Sequence, residues 1–96
     1  MRDPLEDPRW RARLAENRAG ARAPSTPVLL YHAAFDELIP YTTGRKLRDR
    51  YCGLGATVQW KTIPLAEHIV GVAVGGPIAM EWLGARFAGK PAGNSC

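Results

Sequence analysis

An α/β architecture built around one parallel βαβ unit is predicted by three observations. Val28-Leu29-Leu30-Tyr31 is apolar on both faces, as a central parallel strand is. Thr57 to Ile63 alternates Val58 and Trp60 with Gln59 and Lys61, the period of a strand with one wetter face, which places it near the sheet edge. Between the two lies a helix-forming stretch long enough for the crossover that parallel neighbours require.

The elements follow in order. The first is a helix over residues 8–17. Asp7 can cap it, Pro8 suits the first helical position, and Trp10 and Leu14 share a face four residues apart. Asn17 and Gly20 are plausible stops, and Ala23-Pro24-Ser25-Thr26-Pro27 reads as an extended linker because proline disfavours helix at the residue before it. The first strand covers 28–31, and a second helix 41–52, with Leu47 and Tyr51 four apart and Gly53 at its end. The second strand is 57–63. Residues 69–76 form a glycine-containing apolar stretch without clear period; it reads as core packing, with the lining of an apolar pocket as the alternative. Pro77 then opens a third helix over 77–88, with Ile78, Trp82, Leu83 and Phe87 as its buried stripe. Two strands cannot shield both their faces and their edges, so the chain reads as a fragment or as needing a partner.

Composition narrows the function classes. Hydrophobic residues make up 46% of the 96-residue chain, enough for a packed core and too many for a disordered one. The net charge of +4 invites a nucleic-acid reading. Its distribution argues against it: Arg2, Arg9, Arg11, Arg13, Arg18 and Arg22 are mixed with Asp3, Glu6, Asp7 and Glu16, as on a solvated helix face. No apolar run reaches the roughly 20 residues needed to cross a membrane. The N-terminus lacks the apolar core of a signal peptide, so any export signal would lie upstream.

The chemistry concentrates where the strands run out. Asp36 follows the first strand and His68 the second, so parallel pairing brings both to the carboxyl edge of one sheet, where ligands bind in open α/β sheets. An acid followed by a histidine at that edge is the second half of a Ser…Asp…His system, in which the carboxylate fixes the imidazole tautomer. Taken singly, Asp36 could instead cap the following helix and His68 could be an ordinary loop histidine. His32, four residues before Asp36 on the same turn, is badly placed for a relay and reads as ordering that turn. No nucleophile is evident. There is no G-x-S-x-G, Ser25 and Ser95 lie in a linker and a tail, and Cys52 falls at a helix end away from the edge. Gly71, Gly75 and Gly76 do not have the spacing of a phosphate loop. Cys52 and Cys96 match no zinc pattern; two free thiols and a disulfide are both open.

Several segments together resemble one family. Pro27-Val28-Leu29-Leu30-Tyr31-His32 with Asp36-Glu37-Leu38-Ile39-Pro40 resembles the acid-bearing turn of α/β-hydrolases, most closely the secretory lipases of actinobacteria and fungi. Tyr51-Cys52-Gly53-Leu54-Gly55-Ala56, the His68 turn, and Glu81 to Pro91 with a closing cysteine are similar too. The resemblance implies that residues 1–96 are the C-terminal portion of an α/β-hydrolase domain, with Asp36 as triad acid, His68 as triad histidine and Cys52–Cys96 as a disulfide. It also implies a lipid or ester substrate, hydrolysis without metal or cofactor, and a secreted parent. The serine elbow and oxyanion hole would then lie in a missing N-terminal half, leaving the isolated chain inactive. A peptidase or dienelactone-type hydrolase would keep the fold and change the substrate, and a small basic module binding an acidic partner would dispense with catalysis.

Overall fold

A computed structural model of the chain describes residues 3–96. Arg2, counted above among the N-terminal arginines, lies outside the described residues. After a single 3-10 turn at Pro4–Glu6, the elements run α1 (Pro8–Glu16), β1 (Val28–Ala33), α2 (Tyr41–Gly53), β2 (Val58–Ile63) and α3 (His68–Phe87). The strands pair in parallel, Val28 opposite Val58 through Ala33 opposite Ile63. This is an α/β arrangement, as predicted.

Side-chain alternation along the strands sorts the helices onto opposite faces. His32 meets α2 at Gly44, and Thr62 bonds Tyr41 of the same helix. On the other face Tyr31 and Ala33 meet α3 at Gly75 and Gly71, and Gln59 accepts from Trp82 Nε1 at 2.9 Å. The core is small: Ala33, Ala56, Val58, Ile63 and Ala66 are the buried apolar residues.

α1 starts as its sequence requires, with the Asp7 carboxylate accepting from the Arg9 amide. It packs only against the 3-10 turn before it, leaving Trp10 and Leu14 exposed. Two of its arginines are paired locally, Arg9 with Asp7 and Arg13 with Glu16.

The third helix departs most from expectation. It begins at His68, not Pro77, and the apolar stretch 69–76 is its first half. Pro77 sits in the helix interior, where it forfeits one backbone hydrogen bond. Tertiary contact explains the continuity. Gly71 and Gly75, one turn apart, let the helix lie directly on β1: a Cβ at Gly71 would stand 2.6 Å from Ala33 Cβ, and one at Gly75 2.3 Å from the Tyr31 ring. The predicted stripe is only partly inward, since Ile78 and Trp82 are half-buried while Leu83 is exposed and Phe87 is 91% exposed. Of residues 69–76 only Gly71 and Gly75 are buried, while Ile69, Val70, Val72 and Val74 are exposed. At 20 residues and a mean hydropathy of 1.2, α3 is also long and apolar enough to cross a membrane, which a helix opening at Pro77 would not be.

The tail is an ordered part of the sheet. The Ser95 amide donates to the Val58 carbonyl at 2.6 Å and Ser95 Oγ accepts from the Trp60 amide at 3.0 Å. Asn94 Oδ1 accepts from the Val58 amide at 3.4 Å. Cys96 closes a disulfide with Cys52 at the end of α2, across 44 residues of chain.

Candidate active site

The register of the two strands brings their following turns side by side. The Ala34 amide donates to Ile63 O at 2.9 Å and the Phe35 amide to Ala66 O at 3.0 Å, stitching the loop after β1 to the loop after β2. Leu65, in that second loop, has φ 56°, a left-handed conformation that non-glycine residues seldom adopt. The chain turns there and enters α3 at once. Glu67 caps the helix, accepting from the amides of Ile69 at 2.9 Å and Val70 at 2.7 Å. His68, the first helical residue, donates its own amide to Glu37 Oε2 at 3.3 Å.

Asp36 and His68 meet. His68 Nδ1 lies 2.8 Å from Asp36 Oδ2. Asp36 does not cap α2; its other oxygen, Oδ1, accepts from the amides of Leu38 at 2.9 Å and Ile39 at 2.8 Å within its own turn. The carboxylate is 7% exposed and the imidazole 30%. Burial disfavours the charge on Asp36, but the Ile39 amide, the His68 ring and the Leu38 amide together outweigh it and hold the carboxyl below its ordinary value. An ionised carboxylate only accepts, so His68 directs an Nδ1–H at Asp36 and leaves Nε2 for another partner. That is the arrangement in which an imidazole withdraws a proton from a hydroxyl.

His32 orders the acid's turn, as its position suggested: its Nε2 is 2.8 Å from the Ile39 carbonyl oxygen. A cavity of about 220 Å³ opens over the group, lined by Tyr31, His32, Asp36, Ile39, His68 and Val72. Among the described residues no cluster of three or more His, Cys, Asp or Glu side chains could hold a metal ion. Neither of the chain's two serines joins the pair, since Ser25 stays in the linker before β1 and Ser95 lies on the outer edge of β2.

Comparison with known proteins decides the family. The family model described as secretory lipase matches residues 1–95. The chain belongs to the secretory lipase family. Among its relatives, Lipase 10 of Candida albicans is 36% identical over 76% of this chain and 16% of its own length. A secreted triacylglycerol lipase of Malassezia globosa is 33% identical over 76% of this chain and 17% of its own. A Mycobacterium tuberculosis protein named as a probable inactive lipase is 33% identical over 93% of this chain and 21% of its own. The chain thus spans between 16% and 21% of the length of these curated relatives. Secretion is part of the family's description and suits the Cys52–Cys96 disulfide, because disulfides persist in oxidising compartments.

Two parts of the site escape a reading of this lipase-family sequence. Glu67 is not among the usual capping residues, and its acidic side chain beside His68 is the one available hint of a helix start. The Gly71–Gly75 spacing is a helix-face signal that is visible only once the stretch is assigned as helical.

Proposed function

We propose that this chain is the C-terminal portion of a secreted α/β-hydrolase that cleaves triacylglycerols or other carboxylic esters, and that it supplies the triad acid and histidine. The observation that carries the reading is the 2.8 Å contact of His68 Nδ1 with Asp36 Oδ2 in a chain of the secretory lipase family. In the complete enzyme His68 Nε2 takes the proton of a serine hydroxyl as that oxygen attacks the ester carbonyl. The resulting imidazolium returns the proton to the departing alcohol. Water then repeats the cycle on the acyl-enzyme and frees the carboxylic acid. Asp36 holds the ring and stabilises its cationic form throughout.

The nucleophile and the oxyanion hole come from a separate, N-terminal part. The open surface supports this: Ile69, Val70, Val72 and Met80 of α3 are exposed, as expected of a helix that more of the protein covers. With its Gly71–Gly75 face on β1 and Glu81 and Arg86 in its second half, α3 suits protein cover better than lipid. The test is complementation. The chain alone is expected to turn over no short-chain ester. Mixed with a nucleophile-bearing N-terminal portion of a secretory lipase, it is expected to restore hydrolysis, and His68→Ala to abolish it. Turnover by the isolated chain, or restored turnover indifferent to His68→Ala, would overturn the assignment.

A further inference from the structure

The second histidine of the site has a more specific task than its sequence position suggests. His32 is half-buried, with its side chain 11% exposed; its Nε2 hydrogen-bonds the Ile39 carbonyl oxygen at 2.8 Å and lies 3.4 Å from Asp36 Oδ2. A carbonyl and an ionised carboxylate both accept only, so Nε2 must carry a proton, which it donates to the Ile39 carbonyl while standing beside the carboxylate. The ring cannot turn away. Tyr41 meets it edge-on, with centroids 5.7 Å apart, and Tyr41 is itself tied by its hydroxyl to Thr62, the strand partner of His32, at 2.7 Å. One turn on in the same helix, α2 presses so close that a Cβ on Gly44 would stand 2.3 Å from His32 Nδ1.

This clamp reaches both oxygens of the acid. Electrostatically, the His32 Nε2 edge lies 3.4 Å from Oδ2, the oxygen that accepts from His68. Indirectly, it holds the Ile39 carbonyl, and the Ile39 amide is one of the two donors that fix Oδ1. Terminal carboxylate torsions are broad and roughly two-fold, so an aspartate stays aimed only where its surroundings hold it. The geometry points to His32 as a positioning residue that aims Asp36 Oδ2 at His68, acting through the acid and touching no substrate. The inference rests on the reading of Asp36 and His68 as an acid–histidine pair.

Imidazole NMR of the full chain, labelled with nitrogen-15, tests it at neutral pH. In the wild type His32 is expected to be protonated on Nε2 and His68 on Nδ1. His32→Gln keeps an N–H donor at the same reach and is expected to leave exchange of the His68 Nδ1 proton with water near its wild-type rate. His32→Phe fills the space without a donor and is expected to speed that exchange about fivefold, the scale of one hydrogen bond to a neutral carbonyl, with the strand amide resonances in place. A purely structural role would move those amides and the melting point together, and Gln would not rescue. Unchanged exchange in the Phe variant overturns the inference. So does a wild-type His32 protonated on Nδ1 instead, a result independent of how any variant folds. A wild-type His68 protonated on Nε2 is a different failure: it removes the Asp36–His68 pair itself, and His32 would then have nothing to aim.

Discussion

Gly71 links the packing of α3 to the geometry of the site, and replacing it with alanine separates the two. The added Cβ would stand 2.6 Å from Ala33 Cβ, whereas carbon atoms at rest are about 3.5–4.0 Å apart. The shortfall is about 1 Å, and Ala33 is a buried strand residue with no flexible end to swing aside. The helix must therefore retreat from β1. His68 lies three residues away, about 4.5 Å along the axis, so it moves with that turn. Adding about 1 Å to the present 2.8 Å separation carries Nδ1 and Oδ2 beyond hydrogen-bond reach.

The energetics oppose one another. Alanine gains about 1 kcal/mol over glycine in a helix interior, while overpacking a tight contact costs about 1–3 kcal/mol. With so stiff a neighbour the expected net loss is about 1 kcal/mol, a fall in melting temperature of several degrees. Gly84→Ala is the control, since beyond its own turn and chain neighbours no atom lies within 4 Å of its Cβ and no proline follows it; it should show the propensity gain alone and melt higher than the wild type. The assay is thermal denaturation together with proton NMR of the His68 Nδ1–H. A Gly71→Ala chain that melts at or above the wild type, with that resonance unshifted, would refute the claim that the glycine sets the approach of helix to strand.

Two further outcomes follow from the same contacts. Because the Asp36 carboxyl is held below its ordinary value of 3.8 in the folded chain, its contribution to stability is complete above that pH and drains away as the pH falls through the lowered folded value; melting followed from pH 6 to pH 2 should show a loss that Asp36→Asn diminishes, and identical slopes for the two proteins would count against it. The Cys52–Cys96 bridge closes a 44-residue separation and is worth about 4 kcal/mol in the chain-entropy account, so a reducing agent or Cys96→Ser should lower the urea midpoint sharply. A midpoint that barely moves would mean that the tail is held by its hydrogen bonds alone.

The strands and the placement of Asp36 and His68 are legible in the sequence because local patterns determine them. A doubly apolar run and an alternating run declare two strands, parallel pairing aligns their carboxyl ends, and the residues that follow meet there. α3 is illegible for a physical reason. Proline and three glycines in one apolar stretch look like breaks by local propensity, yet two of those glycines create the close contact with β1 that keeps the helix intact. Periodicity also records faces that this chain does not itself bury. Trp10 with Leu14, and Leu83 with Phe87, are spaced as inward stripes but lie exposed, as a fragment's interior-facing residues do when their cover is elsewhere. The disulfide lay beyond spacing arguments altogether, since two cysteines 44 residues apart carry no pairing information without a family resemblance.

The two edges of the sheet are treated in opposite ways, and this bears on where a nucleophile can arrive. On β2 the outward backbone groups of Val58 and Trp60 are taken by the tail, and the disulfide anchors that tail covalently. That edge is closed to further strands. On β1 the Val28 and Ala34 amides point toward β2, so by alternation the backbone groups of Leu29 and Tyr31 face the opposite way, where the described residues supply no strand to meet them. A buried central strand, apolar on both faces, does not end a sheet in water. The sheet can grow only past β1, which makes β2 and its histidine the terminal strand and sets Asp36 between His68 and whatever is added. Under the proposed function, a serine elbow on strands added past β1 reaches His68 Nε2 from that side, over the cavity that Tyr31, Ile39 and Val72 line, with the loop carrying Asp36 lying between the two strands' ends.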